Sequence, residues 1–254
     1  MADYQLDCTW DGVQKRNSFP SKYCIIIPDE PLYNGRLVIW AHGFQDAGTD
    51  VEIPIDQLCF DDICTPDLLT AMGFAFATNS YSKTGLAVLQ GVDDILDLVD
   101  IFISKQGVPE KIYIVGASEG GLITTLLTEG YPDDFDAGLA LCGPIGDFPY
   151  QINYLGDARA TFEYFFPSQI PGFGIFNRIG IPDDFVDWDT YFDDTIKPLL
   201  LSNLGKTQQW VSVAKLPYDN QNPIETILLS AKDVLRYAVL NLRDAAITLG
   251  GFPL

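Results

Sequence analysis

One stretch of the sequence carries residues able to do covalent chemistry: KIYIVGASEGGL, Lys111 to Leu122, where an apolar run ends in Gly-Ala-Ser-Glu-Gly-Gly. A serine on a strand-to-helix turn this tight tolerates no Cβ at its flanks, so Gly116 and Gly120 are required there. The IYIV run before the turn predicts a buried strand. The apolar pattern after it predicts a helix, which Gly121 lets lie close to the sheet. Ser118 is therefore the candidate nucleophile, presented for attack on an acyl carbonyl. The start of the helix offers free N–H groups and the positive end of a dipole, both suited to a developing oxyanion.

WAHGFQDAG, after an earlier apolar run, supplies a second part. The backbone N–H of Phe44 would face the carbonyl oxygen, with the N–H of Glu119 as its partner and with His42 and Gly43 shaping the loop. The Glu119 side chain reads as a local hydrogen-bonding or entrance group. A serine hydroxyl also needs a base within hydrogen-bond reach, and the sequence has one histidine, His42. It precedes Ser118 on a different loop, and its expected role is to brace the oxyanion loop. Asp147, in CGPIGD, is the candidate acid; the competing reading is a turn or hinge aspartate. A dyad of Ser118 with Asp147 ranks last, because a carboxylate is a poor base for a serine hydroxyl at neutral pH.

Alternating strand and helix signals must position these groups. Leu6–Trp10 and Lys22–Ile27 predict an edge hairpin. Arg36–Phe44 is a continuous apolar run closed by a glycine, as expected for a strand buried on both faces. Thr65 starts a helix with Pro66 at its first position and Gly73 as its stop, and Phe74–Tyr81 is the next strand. From Val88 to Lys105 apolar residues recur at helical spacing, with Asp93, Asp94, Asp97 and Asp100 predicted on a wet face. Phe135–Pro144 is a further strand. This order predicts an α/β fold, a mostly parallel sheet with helices on both faces. Residues 1–147 form its core. Residues 148–254 form a mostly helical, aromatic-rich cap, in which the last helix spans Glu225–Leu249.

Order, spacing and both motifs resemble the α/β-hydrolase superfamily over roughly residues 20–145, and the Ser-x-Gly-Gly form resembles its esterase and prolyl-oligopeptidase-like branches. The resemblance implies acyl transfer to water through a serine-bound intermediate, without a cofactor, with the helical segment as a lid. It also implies an Asp and a His on later strands, which this sequence does not reach. The expectation is thus a serine hydrolase of carboxylic esters, in a form lacking its catalytic histidine. The alternatives are an inactive binding protein of the same fold and a peptidase of the prolyl-oligopeptidase-like branch. The expected substrate is a small ester or peptide with an apolar or aromatic group, against which Phe162, Tyr164, Phe165 and Phe166 are candidate pocket residues. A missing C-terminal segment, or a second copy, is expected to complete the sheet.

Composition narrows the partners. Thirty-five acidic against fifteen basic residues give a net charge of −20, which opposes binding to nucleic acid or an anionic membrane surface. There is no apolar run long enough to span a membrane and no signal-peptide pattern at MADYQ. Cys142 is expected to be a buried free thiol, while Cys8–Cys24 and Cys59–Cys64 are the disulfide candidates if the protein is secreted, so a secreted or periplasmic location is favoured over a cytoplasmic one. No metal site is expected, because there is no CxxC and no histidine cluster.

Overall fold

Residues 4–14, 19–170, 187–241, 244, 245 and 248 are described by a computed structural model. The chain divides into two units, Met1–Gly146 and Asp147–Leu254. In the first unit the elements are β1 (Trp10–Gln14), β2 (Ser21–Ile26), β3 (Arg36–Ala41), β4 (Cys59–Phe60), β5 (Ile63–Cys64), α1 (Thr65–Ala71), β6 (Ala75–Asn79), α2 (Val88–Gln106), β7 (Lys111–Ala117), α3 (Glu119–Gly130) and β8 (Ala137–Leu141).

The apolar runs become the middle of a six-stranded sheet ordered β1-β2-β6-β3-β7-β8. Strands β6, β3, β7 and β8 are parallel, and β1 and β2 add an antiparallel end. Ile39, Ala77 and Ile114 are fully buried in that core, and Ile95, Leu98 and Phe102 of α2 pack against it. Burial on both faces explains why β3 and β6 read as continuous rather than alternating apolar runs. The register that sets Ala41 opposite Gly116 brings the C-terminal ends of β3 and β7 side by side. The loop after one strand therefore meets the turn after the other.

Three expectations are corrected here. The first strand runs Trp10–Gln14 rather than Leu6–Trp10, because Cys8 is tied to Cys24 by a disulfide with Cα atoms 5.5 Å apart and pairing starts only beyond it. Asp94 is buried rather than on the wet face of α2, since its carboxylate accepts the Ser82 N–H at 2.6 Å. Cys142 is free but exposed. It follows β8, the edge strand, which pairs with β7 alone among the described residues and whose side chains are exposed throughout.

The second unit is helical: α4 (Phe148–Phe165), α5 (Trp188–Tyr191), α6 (Lys197–Ser202), α7 (Leu204–Ala214) and α8 (Pro223–Arg236). Its core gathers Phe162, Phe192, Leu200, Trp210 and Leu235. The indole N–H groups of Trp188 and Trp210 donate to Lys232 O and Ala158 O, both at 3.1 Å, so these large rings bury without an orphaned donor. The helix expected over Glu225–Leu249 is α-helical from Pro223 to Arg236, passes through a π-helical turn, Tyr237–Asn241, and is α-helical again at Asp244, Ala245 and Thr248. Residues 171–186 of the aromatic-rich stretch lie outside the described residues.

Candidate active site

The turn between β7 and α3 holds Ser118 at φ 55° and ψ −120°. This is left-handed backbone that a residue with a Cβ adopts only where its surroundings hold it there. Two groups of backbone contacts impose it. The Ser118 N–H donates to Leu141 O at 2.8 Å, and Ser118 O accepts from Gly121 N at 2.9 Å to open the helix. The glycines leave the room: a Cβ on Gly116 would lie 2.2 Å from Gly120 O, and one on Gly120 would lie 2.0 Å from Ala41 O. Gly121 plays the same part against the end of β8, where a Cβ would lie 2.9 Å from Leu141 O. The Ser118 side chain is left exposed, and within this unit no described side chain hydrogen-bonds to its hydroxyl.

The loop after β3 packs directly on the nucleophile. A Cβ built on Gly43 would meet Ser118 Cβ at 3.4 Å and Ala117 O at 3.3 Å. The Gly43–Phe44 peptide is held from two sides. His42 Nδ1 lies 2.6 Å from Gly43 O; a carbonyl can only accept, so Nδ1 carries the proton of the neutral ring. From the other side Gln57 Oε1 accepts the Gly43 N–H at 2.6 Å, and Gln57 Nε2 donates to Phe44 O at 3.3 Å. The Phe44 N–H donates to no acceptor among the described residues. It is trans to the anchored Gly43 carbonyl within one planar peptide. The Glu119 N–H opens α3, where no preceding helical carbonyl is in place to receive it.

His42 is 2% exposed and stacks on Tyr81 with ring centroids 3.8 Å apart, while the Tyr81 hydroxyl donates to His42 O at 3.0 Å. Burial pushes its pKa down to about 4, against the opposing pull of the Gly43 and Ser80 carbonyls and of Asp56. The ring is thus neutral at physiological pH and committed to the loop. Glu119 turns inward instead of lining an entrance: it is 5% exposed, and its Oε1 accepts the Ala87 N–H at the start of α2, at 2.7 Å. The loops after β3 and β6 are also joined, by Gly85 N to Gln45 O at 2.9 Å and Gly48 N to Thr84 Oγ1 at 3.2 Å.

Asp147 and the candidate pocket aromatics belong to the second unit. Asp147 caps α4, its Oδ1 accepting the Tyr150 N–H at 3.1 Å. Phe162 and Phe166 are buried in the core of the helical unit, with Phe162 5.0 Å from the Trp210 ring; Phe165 packs partly buried against the same core and Tyr164 is exposed. The disulfide Cys59–Cys64 closes the β4–β5 hairpin. Among the described residues no group of histidine, cysteine, aspartate and glutamate side chains could hold a metal ion. Gln57 and Tyr81 were not legible as site residues. The first sits fourteen positions along the chain from the peptide it holds, and no periodicity marks either.

Residues 69–148 match the model of the prolyl oligopeptidase family. No curated protein matches the sequence. Similar solved structures include Est1E from Butyrivibrio proteoclasticus, at 21% identity over 64% of this chain and 61% of that one, with a TM-score of 0.43. The acylaminoacyl peptidase of Pyrococcus horikoshii is 16% identical over 58% of this chain and 24% of its own, with a TM-score of 0.43. An acetyl xylan esterase from Aspergillus awamori is 21% identical over 51% and 50%, with a TM-score of 0.37. The chain spans less than two thirds of the length of each of these. The sheet is mostly parallel and flanked by helices, and the family match falls within the part of the chain that holds β6, α2, β7, α3 and β8.

Proposed function

We propose that the chain carries the nucleophile and oxyanion hole of a serine hydrolase acting on carboxylic esters. One observation carries the reading: Ser118 is exposed at left-handed backbone angles, with the Gly43 loop packed against its Cβ. A binding surface has no use for a strained, exposed serine with a glycine loop packed against it, so this arrangement favours turnover over mere binding.

In this reading Ser118 Oγ attacks the ester carbonyl and gives up its proton to a base. The carbonyl oxygen becomes an oxyanion received by the N–H groups of Phe44 and Glu119. Collapse expels the alcohol and leaves an acyl-serine, which water hydrolyses by the same route in reverse. His42 is not that base, because its ring is buried and bound to the loop; a histidine for the role would have to come from another polypeptide segment. Without it the oxyanion hole and binding leave roughly 10³–10⁴-fold catalysis over water, on the order of a millionfold below a full triad. A second reading, a peptidase of the same chemistry, draws on the match of residues 69–148 to the prolyl oligopeptidase family.

Labelling with a fluorophosphonate probe, read by intact mass, tests the proposal. Because His42 cannot serve Ser118, labelling should be slow; followed over hours at high probe concentration, the wild-type chain should gain one adduct, located on Ser118, and Ser118→Ala should gain none. Equal labelling of both, or none of either, would reduce the turn to a scaffold feature. Turnover of p-nitrophenyl acetate against that of an amide substrate then separates the esterase reading from the peptidase one.

A further inference from the structure

The peptide that must present the Phe44 N–H is not held by its own strand. Beyond Ala41 the loop leaves the β3–β7 ladder, and a glycine at position 43 gives it freedom to swivel. Gln57 removes that freedom. Its single planar amide accepts from Gly43 N at 2.6 Å and donates to Phe44 O at 3.3 Å, satisfying the two polar groups that flank the Gly43–Phe44 peptide. With the Gly43 N–H taken up by Gln57, the adjoining Phe44 N–H is left with no acceptor among the described residues.

Gln57 is itself well anchored. It ends the short 3-10 turn Ile55–Gln57, and the next residue, Leu58, is fully buried. Leu58 O accepts from Thr65 N at 2.8 Å, which closes the loop that the Cys59–Cys64 disulfide crosslinks. A Cβ on Gly43 would meet Gln57 Oε1 at 3.1 Å on one side and Ser118 Cβ at 3.4 Å on the other. The loop is thus pinched between the Gln57 amide and the nucleophile, and a displaced amide would shift the donor relative to Ser118.

We infer that Gln57 is a positioning residue of the oxyanion hole: its amide, braced by the crosslinked hairpin, fixes the Gly43–Phe44 peptide so that the Phe44 N–H faces the acyl oxygen. This rests on the serine-hydrolase reading of Ser118. The side chain touches no reacting atom and acts only through the peptide it holds.

Two substitutions separate positioning from packing. Gln57→Met keeps the volume and removes both hydrogen bonds. Gln57→Glu keeps the acceptor for Gly43 N–H but sets a carboxylate against the Phe44 carbonyl. Both should slow fluorophosphonate labelling of Ser118 by roughly ten- to a hundredfold, less than the loss on deleting an oxyanion donor outright. Ester turnover should fall in kcat with KM unchanged, the mark of an interaction felt in the transition state. Amide hydrogen exchange at Gly43 should quicken in Gln57→Met while the thermal midpoint moves by only a few degrees. Labelling at the wild-type rate in both variants, or unchanged exchange at Gly43, would overturn the inference while leaving Ser118 as nucleophile. A wild-type chain inert to the probe would overturn the hydrolase reading, and the role of Gln57 with it.

Discussion

His42 shows how one residue can be decisive by being unavailable. Its type is that of a general base, but its burial and stacking on Tyr81 make it a neutral strut. The consequence is a defined dependence of stability on pH. In the unfolded chain an ordinary histidine titrates near 6.5; in the fold burial lowers the value to about 4. Between these values the unfolded state binds the extra proton. The contribution of His42 is therefore fully present above pH 6.5 and is lost as the pH falls toward 4. From pH 7.5 to pH 5 this amounts to about 2 kcal/mol. Buried Asp94, whose carboxyl is pushed upward by burial, acts with the opposite sign, its contribution fading as the pH rises. Denaturant unfolding of wild type and His42→Asn at both pH values isolates the histidine, since Asp94 is common to the two. Wild type should lose roughly 2 kcal/mol more than the variant on acidification; parallel losses would mean that the His42 ring is hydrated and titrates normally.

At the scale of elements, the glycines of α3 make the same argument in geometry. A methyl on Gly120 would lie 2.0 Å from Ala41 O and 2.6 Å from His42 O, and backbone on that side cannot yield without moving the oxyanion loop. Gly130, at the other end of the helix, has nothing within 4 Å of an added Cβ. Gly120→Ala should thus cost at least the ~1–3 kcal/mol of overpacking and abolish labelling of Ser118. Gly130→Ala should gain about 0.4–1 kcal/mol and label normally. Thermal melts of the two variants beside wild type check both signs. The same contrast explains what could be read in advance. Gly-Ala-Ser-Glu-Gly-Gly announces the turn because only glycine survives those close approaches, and the run from Arg36 announces a buried strand because both faces are covered. Asp94 was misplaced because helical periodicity assigns it a face but cannot see the Ser82 N–H that draws it inside. Gln57 was invisible because its partner is set by tertiary folding of a loop, where no repeat or pattern reaches. Cys142 was expected inside because free cysteines usually are, yet it follows an edge strand.

Over the whole molecule, charge is the property that composition determines most directly. Thirty-five acidic residues face fifteen basic ones, and several ion pairs lie at the surface. Lys111–Asp136, at 2.6 Å, has half of its lysine side chain in solvent, and Lys197–Asp193 and Lys232–Asp189, both at 3.1 Å, are also on the surface. Pairs of this kind contribute roughly 0–1 kcal/mol each, so the uncompensated negative charges dominate the long-range field. That field opposes the compact state by self-repulsion, and salt weakens it once the Debye length falls to about 10 Å near 0.1 M. Raising NaCl from 20 to 300 mM at pH 7.5 should therefore raise the thermal midpoint by a few degrees, because a stabilisation of about 1 kcal/mol moves a chain of this size by roughly 2–4 °C. Local pairs would have the opposite response, since screening costs them their attraction. A midpoint that falls with salt would show that the surface pairs, and not the net charge, govern the stability of this fold.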